Sequence, residues 1–474
     1  MKPRRTLLSI WLAVIVLVMV VPMAAAGGPS GSSDIKALYS RDRVMANETA
    51  LVGFGPRVAG GPAEKAAAGW IASQMRSYGL DVAIQEFPIA YYEELRTPVL
   101  QETAPIPTTY VWQTDFSTMS YSGSGNVTGP IQAVDVLMPP TGGSTSGCEA
   151  TDFAGFVPGN IALIQRGTCT FAVKASNAQA AGAVGVIVFN EGNNSGRMGV
   201  LLGTLGGPGV AIPVVGTTYA LGLQWFTQLA DGPVVVHMEV STASALSTSQ
   251  NVIGTLTGTD AAQGIVYMGG HYDSVAFAPG ANDDASGVAA TLEAARVLAT
   301  NGHRTKATLK FIAFGSEETG LNGSFEYVAA NEAEVSSKGL GMVNLDMIAV
   351  GNVLQIGNID YGGPGGGNQL KAYAQQKAAA MNMPWVPFAA GENSDHTYFE
   401  QVGVPAAFLT QAPDPYYHTS QDSLNKIQPA TLEANGELAT ATAYDWAKNP
   451  VLRAKKALKM HKVYVYHDKV LTPR

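Results

Sequence analysis

The chain has 474 residues, more than one ordinary domain needs, and its 46% hydrophobic share is enough for more than one packed core. Charged residues make up only 14% and the formal net charge is −8, which argues against a nucleic-acid phosphate backbone as partner.

Lys2, Arg4 and Arg5 precede an apolar run over residues 7–21, and Ala24, Ala25 and Ala26 follow Pro22. This is the pattern of a secretory signal peptide over residues 1–26, cleaved after Ala26. The alternative is an uncleaved anchor, since residues 7–26 just suffice to span a bilayer. Either way the expected location is secreted, extracellular or in the cell envelope. Residues 27–33 form a Gly/Ser/Pro-rich spacer. Gly61-Pro62 opens a helical pattern in which Trp70, Ile71 and Met75 recur and Gly79 supplies the C-terminal cap; residues 80–87 follow as a strand. Residues 34–107 thus read as the first part of a larger domain.

Over residues 108–245 the texture changes to short β runs between glycine-rich turns. The strands expected are 160–165, 184–189, 212–215 and 234–240, with an alanine-rich helix over 171–181. This is a small β-rich module inserted into the larger domain. It holds the chain's two cysteines, Cys148 and Cys169. An exported chain meets an oxidising compartment, so a disulfide between them is expected, the alternative being two buried free thiols.

Residues 246–450 alternate strand and helix: strands at 265–269, 308–314, 342–345, 353–356 and 406–409, and helices such as 286–300 and 429–448. Near-continuous apolar strands in this order predict an α/β fold, a mainly parallel sheet with helices on both faces. Residues 451–474 carry seven Lys or Arg against Asp468 and read as a solvated basic tail, the alternative being a docking segment.

In such sheets ligands gather beyond the carboxyl ends of the strands. Strand 265–269 runs into His271 and Asp273, and Asp283-Asp284 lead into the helix at 286. Glu317-Glu318 follow the strand ending at Phe314, Asp346 follows Leu345, and Tyr417-His418 follow the strand ending at Leu409. Singly, His271 or His418 reads as a surface histidine, and the acidic pairs as helix caps. Together, two imidazoles and several carboxylates at one rim suit a pair of zinc ions, which would also relieve the repulsion between the carboxylates.

His-Tyr-Asp-Ser (271–274), Pro-Gly-Ala-Asn-Asp-Asp-Ala-Ser-Gly (279–287), Glu-Glu-Thr-Gly (317–320), Asn-Leu-Asp-Met (344–347), Ser-Asp-His (394–396) and Tyr-His-Thr (417–419) resemble the motifs of the co-catalytic zinc aminopeptidases. That family also has glutamate-carboxypeptidase-like and transferrin-receptor-like members. Residues 165–171 and 181–186 resemble a protease-associated (PA) domain. The resemblance implies a zinc exopeptidase fold in which two zinc ions share Asp283, with His271 and Asp346 completing one site and Glu318 and His418 the other. It further implies Glu317 as general base, Asp273 orienting His271, Tyr417 donating a hydrogen bond to the oxyanion, and a cis peptide between Asp283 and Asp284. Asn393 is a substrate-binding candidate, standing where relatives that recognise a free α-amine often carry arginine, and exopeptidase polarity stays open at that point. The expected activity is a metallo-aminopeptidase acting as a monomer on peptides. The alternatives are a carboxypeptidase or dipeptidase of the same fold, and a non-catalytic, receptor-like binding protein.

Overall fold

A computed structural model describes residues 32–140, 142–359 and 369–450, so the expected signal peptide and basic tail lie outside the described residues. Strand β1 (Asp81–Glu94) is followed by β2 (Val99–Ala104), β3 (Thr108–Thr109), β4 (Phe116–Thr118), β5 (Gly125–Val134), β6 (Ile161–Gln165), β7 (Gly185–Phe189), β8 (Val214–Thr217) and β9 (Val235–Val240). The chain then continues through β10 (Thr242–Leu256), β11 (Ile265–His271), β12 (Thr308–Phe314), β13 (Gly339–Leu345), β14 (Val353–Asn358), β15 (Trp385–Ala389) and β16 (Ala406–Ala412).

These strands form two eight-stranded sheets. One has the order β1-β10-β12-β11-β13-β16-β14-β15, and the other, β3-β2-β9-β5-β6-β7-β8-β4, contains every strand from β2 to β9. In the first sheet β11 pairs in parallel with β12 and β13, and β13 in parallel with β16. The carboxyl ends of these four strands therefore lie along one edge of the sheet.

Alternation along the central strands sends side chains into two cores. Val266 and Met268 face a large core with the helices Arg41–Val52, Pro62–Ser77, Ser286–Thr300 and Pro429–Lys448, while Ile265 and Tyr267 face a smaller one with Tyr327, Val328 and Phe399. That is the expected α/β arrangement with helices on both faces. Helix Ser286–Thr300 is buried nearly all round, so apolar residues fill most of its positions rather than one stripe.

The second sheet takes in Val99–Ala104, where β2 pairs with β9, so it begins before the expected boundary at residue 108. Its far boundary is sharper. Strand β10 starts at Thr242 and pairs antiparallel with β1 along its whole length, from Glu94↔Thr242 to Asp81↔Thr255. The inserted module thus hangs from the end of a two-stranded ribbon. Inside it Cys148 and Cys169 form the expected disulfide.

Candidate active site

His271 is the last residue of β11, and the loop after it carries Asp273 before reaching Asp283. Glu317 and Glu318 follow β12, Asp346 follows β13, and His418 lies in the loop after β16. All eight residues singled out for catalysis, metal binding or both come together: Asp283 Oδ1 is 3.2 Å from His271 Nε2, and its Oδ2 is 3.1 Å from His418 Nε2. The other oxygens complete two clusters. Asp346 Oδ1 stands 3.7 Å and Glu317 Oε2 3.9 Å from His271 Nε2, while Glu318 Oε2 stands 3.1 Å from His418 Nε2. Glu317, Tyr417 and Asn393 line the same cavity, of about 510 Å³, as His271, Asp283, Glu318 and Asp346. The peptide between Asp283 and Asp284 is cis, as the resemblance implied.

The donor set fits divalent cations. Asp283 Oδ2, both Glu318 oxygens and Asp346 Oδ1 are buried and accept no hydrogen bond among the described residues, an arrangement that a cation would satisfy. Donor atoms of His271, Asp283 and Glu318 lie within 4.8 Å of one another, and so do those of His271, Asp284 and Asp346. The two groupings share only His271: the first joins it to Asp283 and to Glu318, which the resemblance assigns to the other ion, and the second to Asp346 but through Asp284 instead of Asp283. We favour Asp283, because its two oxygens face two different imidazoles. Asp284 Oδ1 is already committed to the N–H groups of Gly287 (2.8 Å) and Met347 (3.1 Å).

Burial pulls the His271 and His418 imidazoles down, but the facing carboxylates outweigh it, lifting His271 well above its usual value and His418 to about 11. Asp283 moves the opposite way: burial pushes its carboxyl up, and the two imidazoles hold it below the usual carboxylate range. A ligating imidazole must be neutral, so metal binding displaces these protons. Tyr417 is kept protonated by burial first and then by the charges of Asp283 and Glu318, so it is available as a donor.

Further residues hold these side chains in place, some within the quoted motifs and others, Asp422 and Arg57, outside them. Asp273 does two things: its main-chain oxygen lies 3.2 Å from His271 Nδ1, and its carboxylate accepts the N–H groups of Glu317 (3.0 Å) and Glu318 (3.2 Å). The expected contact between that carboxylate and His271 is longer, at 3.6 Å. Asp422 accepts the N–H of Asn282 at 2.7 Å and of Asp283 at 3.1 Å. Arg57, fully buried, donates to the carbonyls of Tyr272, Pro279 and Gly280. Ser394 Oγ donates to Asp346 Oδ2 at 2.7 Å, which gives the Ser-Asp-His motif a role; His396 of that motif instead stacks on Phe408 at 4.7 Å. Gly270 and Gly287 leave room for the Asp284 carboxylate, since a Cβ on either would stand within 2.5 Å of its Oδ2. Of these, Asp422 was within reach of sequence reasoning, four residues beyond His418 in a loop already under inspection.

Residues 251–443 match the profile of peptidase family M28, and residues 127–225 that of the PA domain. Aminopeptidase YwaD of Bacillus subtilis is 33% identical over 83% of this chain and 82% of its own length. This chain belongs to peptidase family M28. The match to an aminopeptidase of Pseudomonas aeruginosa, 39% identical, covers 67% of this chain but only 58% of that relative. Among solved structures, an aminopeptidase from Aneurinibacillus sp. strain AM-1 is 32% identical with a TM-score of 0.64, covering 91% of this chain and all of that one. BSAP, a zinc aminopeptidase from Bacillus subtilis, is 30% identical with a TM-score of 0.60, covering 89% and 98%. The M28 match spans β10 to the last helix, which includes the residues that converge at the rim.

Proposed function

We propose that the chain is an exported exopeptidase that hydrolyses the N-terminal bond of peptides, with two zinc ions held by His271, Asp346, Asp283, Glu318 and His418. The observation that carries the metal reading is Asp283 facing both imidazoles, at 3.2 and 3.1 Å, amid buried carboxylate oxygens without donors. BSAP is a zinc aminopeptidase, and nitrogen and oxygen donors of the kind gathered here suit that metal.

Zinc ions at this site supply Lewis acidity and ready deprotonation of water at neutral pH. Glu317, buried beside His271, takes the proton from the attacking water and passes it to the leaving amine. Tyr417 donates to the developing oxyanion. Asp273 holds Glu317 and Glu318 in place through their N–H groups.

Polarity follows from charge. No lysine or arginine is among the described residues lining the cavity, whereas its carboxylates favour an ammonium group. A carboxypeptidase needs a cation for the substrate carboxylate, and a receptor-like protein has no need of a complete ligand set with its general base. Export rests on the residue 1–26 pattern; among the described residues no helix is long and apolar enough to cross a membrane, and one relative is a probable lipoprotein aminopeptidase of Mycobacterium tuberculosis.

The test is a panel of aminoacyl p-nitroanilides and N-blocked dipeptides with free C-termini, assayed with zinc and after chelation. Cleavage of the anilides alone, abolished by chelator and restored by zinc, is expected. Turnover of the blocked dipeptides, or indifference to chelation, contradicts the reading.

A further inference from the structure

Beyond the proposed metal ligands, the active-site cavity has a second wall. Met347, Phe388 and Phe408 give it an apolar surface, and Gln355, Gln411 and Asp414 add polar groups. The two phenyl rings pack edge to face at 5.4 Å, and Phe408 is backed by the His396 ring. Such a wall is held firmly enough to select a side chain by shape.

Asp414 has no place in the metal set or in the proton transfer. Its Oδ1 accepts the N–H of Tyr416 at 2.7 Å and its Oδ2 accepts from Asn282 Nδ2 at 2.8 Å, so the carboxylate is fixed while each oxygen keeps an unused lone pair. Two zinc ions would balance the charges of Asp283, Glu317, Glu318 and Asp346; the charge of Asp414 lies beyond that set, and no lysine or arginine lines the cavity among the described residues. Burial above all disfavours its ionised form, which a bound cation would stabilise.

We propose that Asp414 makes this cavity a subsite for a long cationic side chain, so that peptides beginning with lysine or arginine are preferred substrates. The aliphatic stem lies along Met347, Phe388 and Phe408, and the charged head meets Asp414 with Gln355 as a further acceptor. The proposal rests on the aminopeptidase reading and adds the identity of the first residue to it.

Two comparisons test it. In the wild-type enzyme, kcat/KM for Lys-p-nitroanilide is expected to exceed that for the norleucine analogue, which keeps the four-carbon stem without the charge, and the advantage shrinks at high salt. In Asp414→Asn, the ratio of kcat/KM for the lysine over the leucine substrate is expected to fall about tenfold. A norleucine substrate as good as or better than the lysine one overturns the proposal, as does a ratio that Asp414→Asn leaves unchanged. The wild-type comparison keeps the test valid if the variant folds poorly. Failure of every aminoacyl anilide to react would instead overturn the aminopeptidase reading.

Discussion

Glu317 and Glu64 are both buried carboxyl groups near the same rim, and their surroundings give them different tasks. Glu317 reaches towards His271 and lines the cavity; a Glu317→Gln protein should keep its fold and its zinc while kcat drops about 10²- to 10⁴-fold. Activity within tenfold of wild type would remove Glu317 from its role. Glu64 does not line the cavity. It accepts the N–H of Gly60 at 2.6 Å and the Ser249 hydroxyl, and burial first, then the charge of Asp273, raise its pKa to about 8. In the unfolded chain it ionises near about 4.3, so the folded protein keeps the proton where the unfolded one has lost it. The stability Glu64 contributes is therefore full below its unfolded pKa and is lost as pH rises towards 8. Melting temperatures of wild type and Glu64→Gln, measured from pH 5 to 8, should show the wild type losing ground as pH rises. A difference that stays constant across that range would contradict this.

At the scale of elements, loops held by buried polar groups set the site's geometry. The loop from Tyr272 to Gly280 is gripped by Arg57, and the Asn282–Asp283 backbone is tied to the His418 loop through Asp422. Asp422→Asn replaces one accepting oxygen with a donor facing a main-chain N–H. Zinc affinity should fall about 10- to 100-fold, read by competition with a chromophoric chelator, and an unchanged affinity would show that the contact does not position Asp283. The central strands were legible in the sequence because β11, β12, β13 and β16 are buried on both faces and read as apolar runs. Strand β10 was less so: its first half, Thr-Ala-Ser-Ala-Leu-Ser-Thr-Ser, belongs to the partly exposed ribbon and lacks that signal. Strand β2 hid behind Glu102, a buried carboxylate that accepts from Trp225 Nε1 at 3.1 Å and Tyr110 at 3.0 Å. Arg57 was invisible for a different reason: the active-site carbonyls it grips lie 215 to 223 residues away in sequence, and Gly55-Pro56-Arg57 alone reads as a turn.

Over the whole molecule, the inserted module meets the catalytic domain both at the ribbon and beside the active-site loop. Tyr121 donates to the Ala90 carbonyl at 3.2 Å, and Trp112 packs edge to face on Phe277 at 5.8 Å, in the loop between Asp273 and Asp283. Because Glu94 and Thr242 are direct cross-strand partners, residues 95–241 can be replaced by a two-residue Asn-Gly turn without disturbing the register. That protein should fold and cleave short peptides, and it should also accept longer or folded substrates that the full chain turns over poorly. Unchanged selectivity would mean that the module does not screen the rim. The proposed ligands are spread from His271 to His418 and are joined only by folding, with Asp283 at the centre. Diffraction from crystals of the zinc-loaded protein, with anomalous data collected at the zinc edge, tests that arrangement most directly. Two peaks about 3.5 to 4 Å apart, one on each side of the Asp283 carboxylate, are predicted; a single peak in an active enzyme, or peaks remote from Asp283, would contradict it.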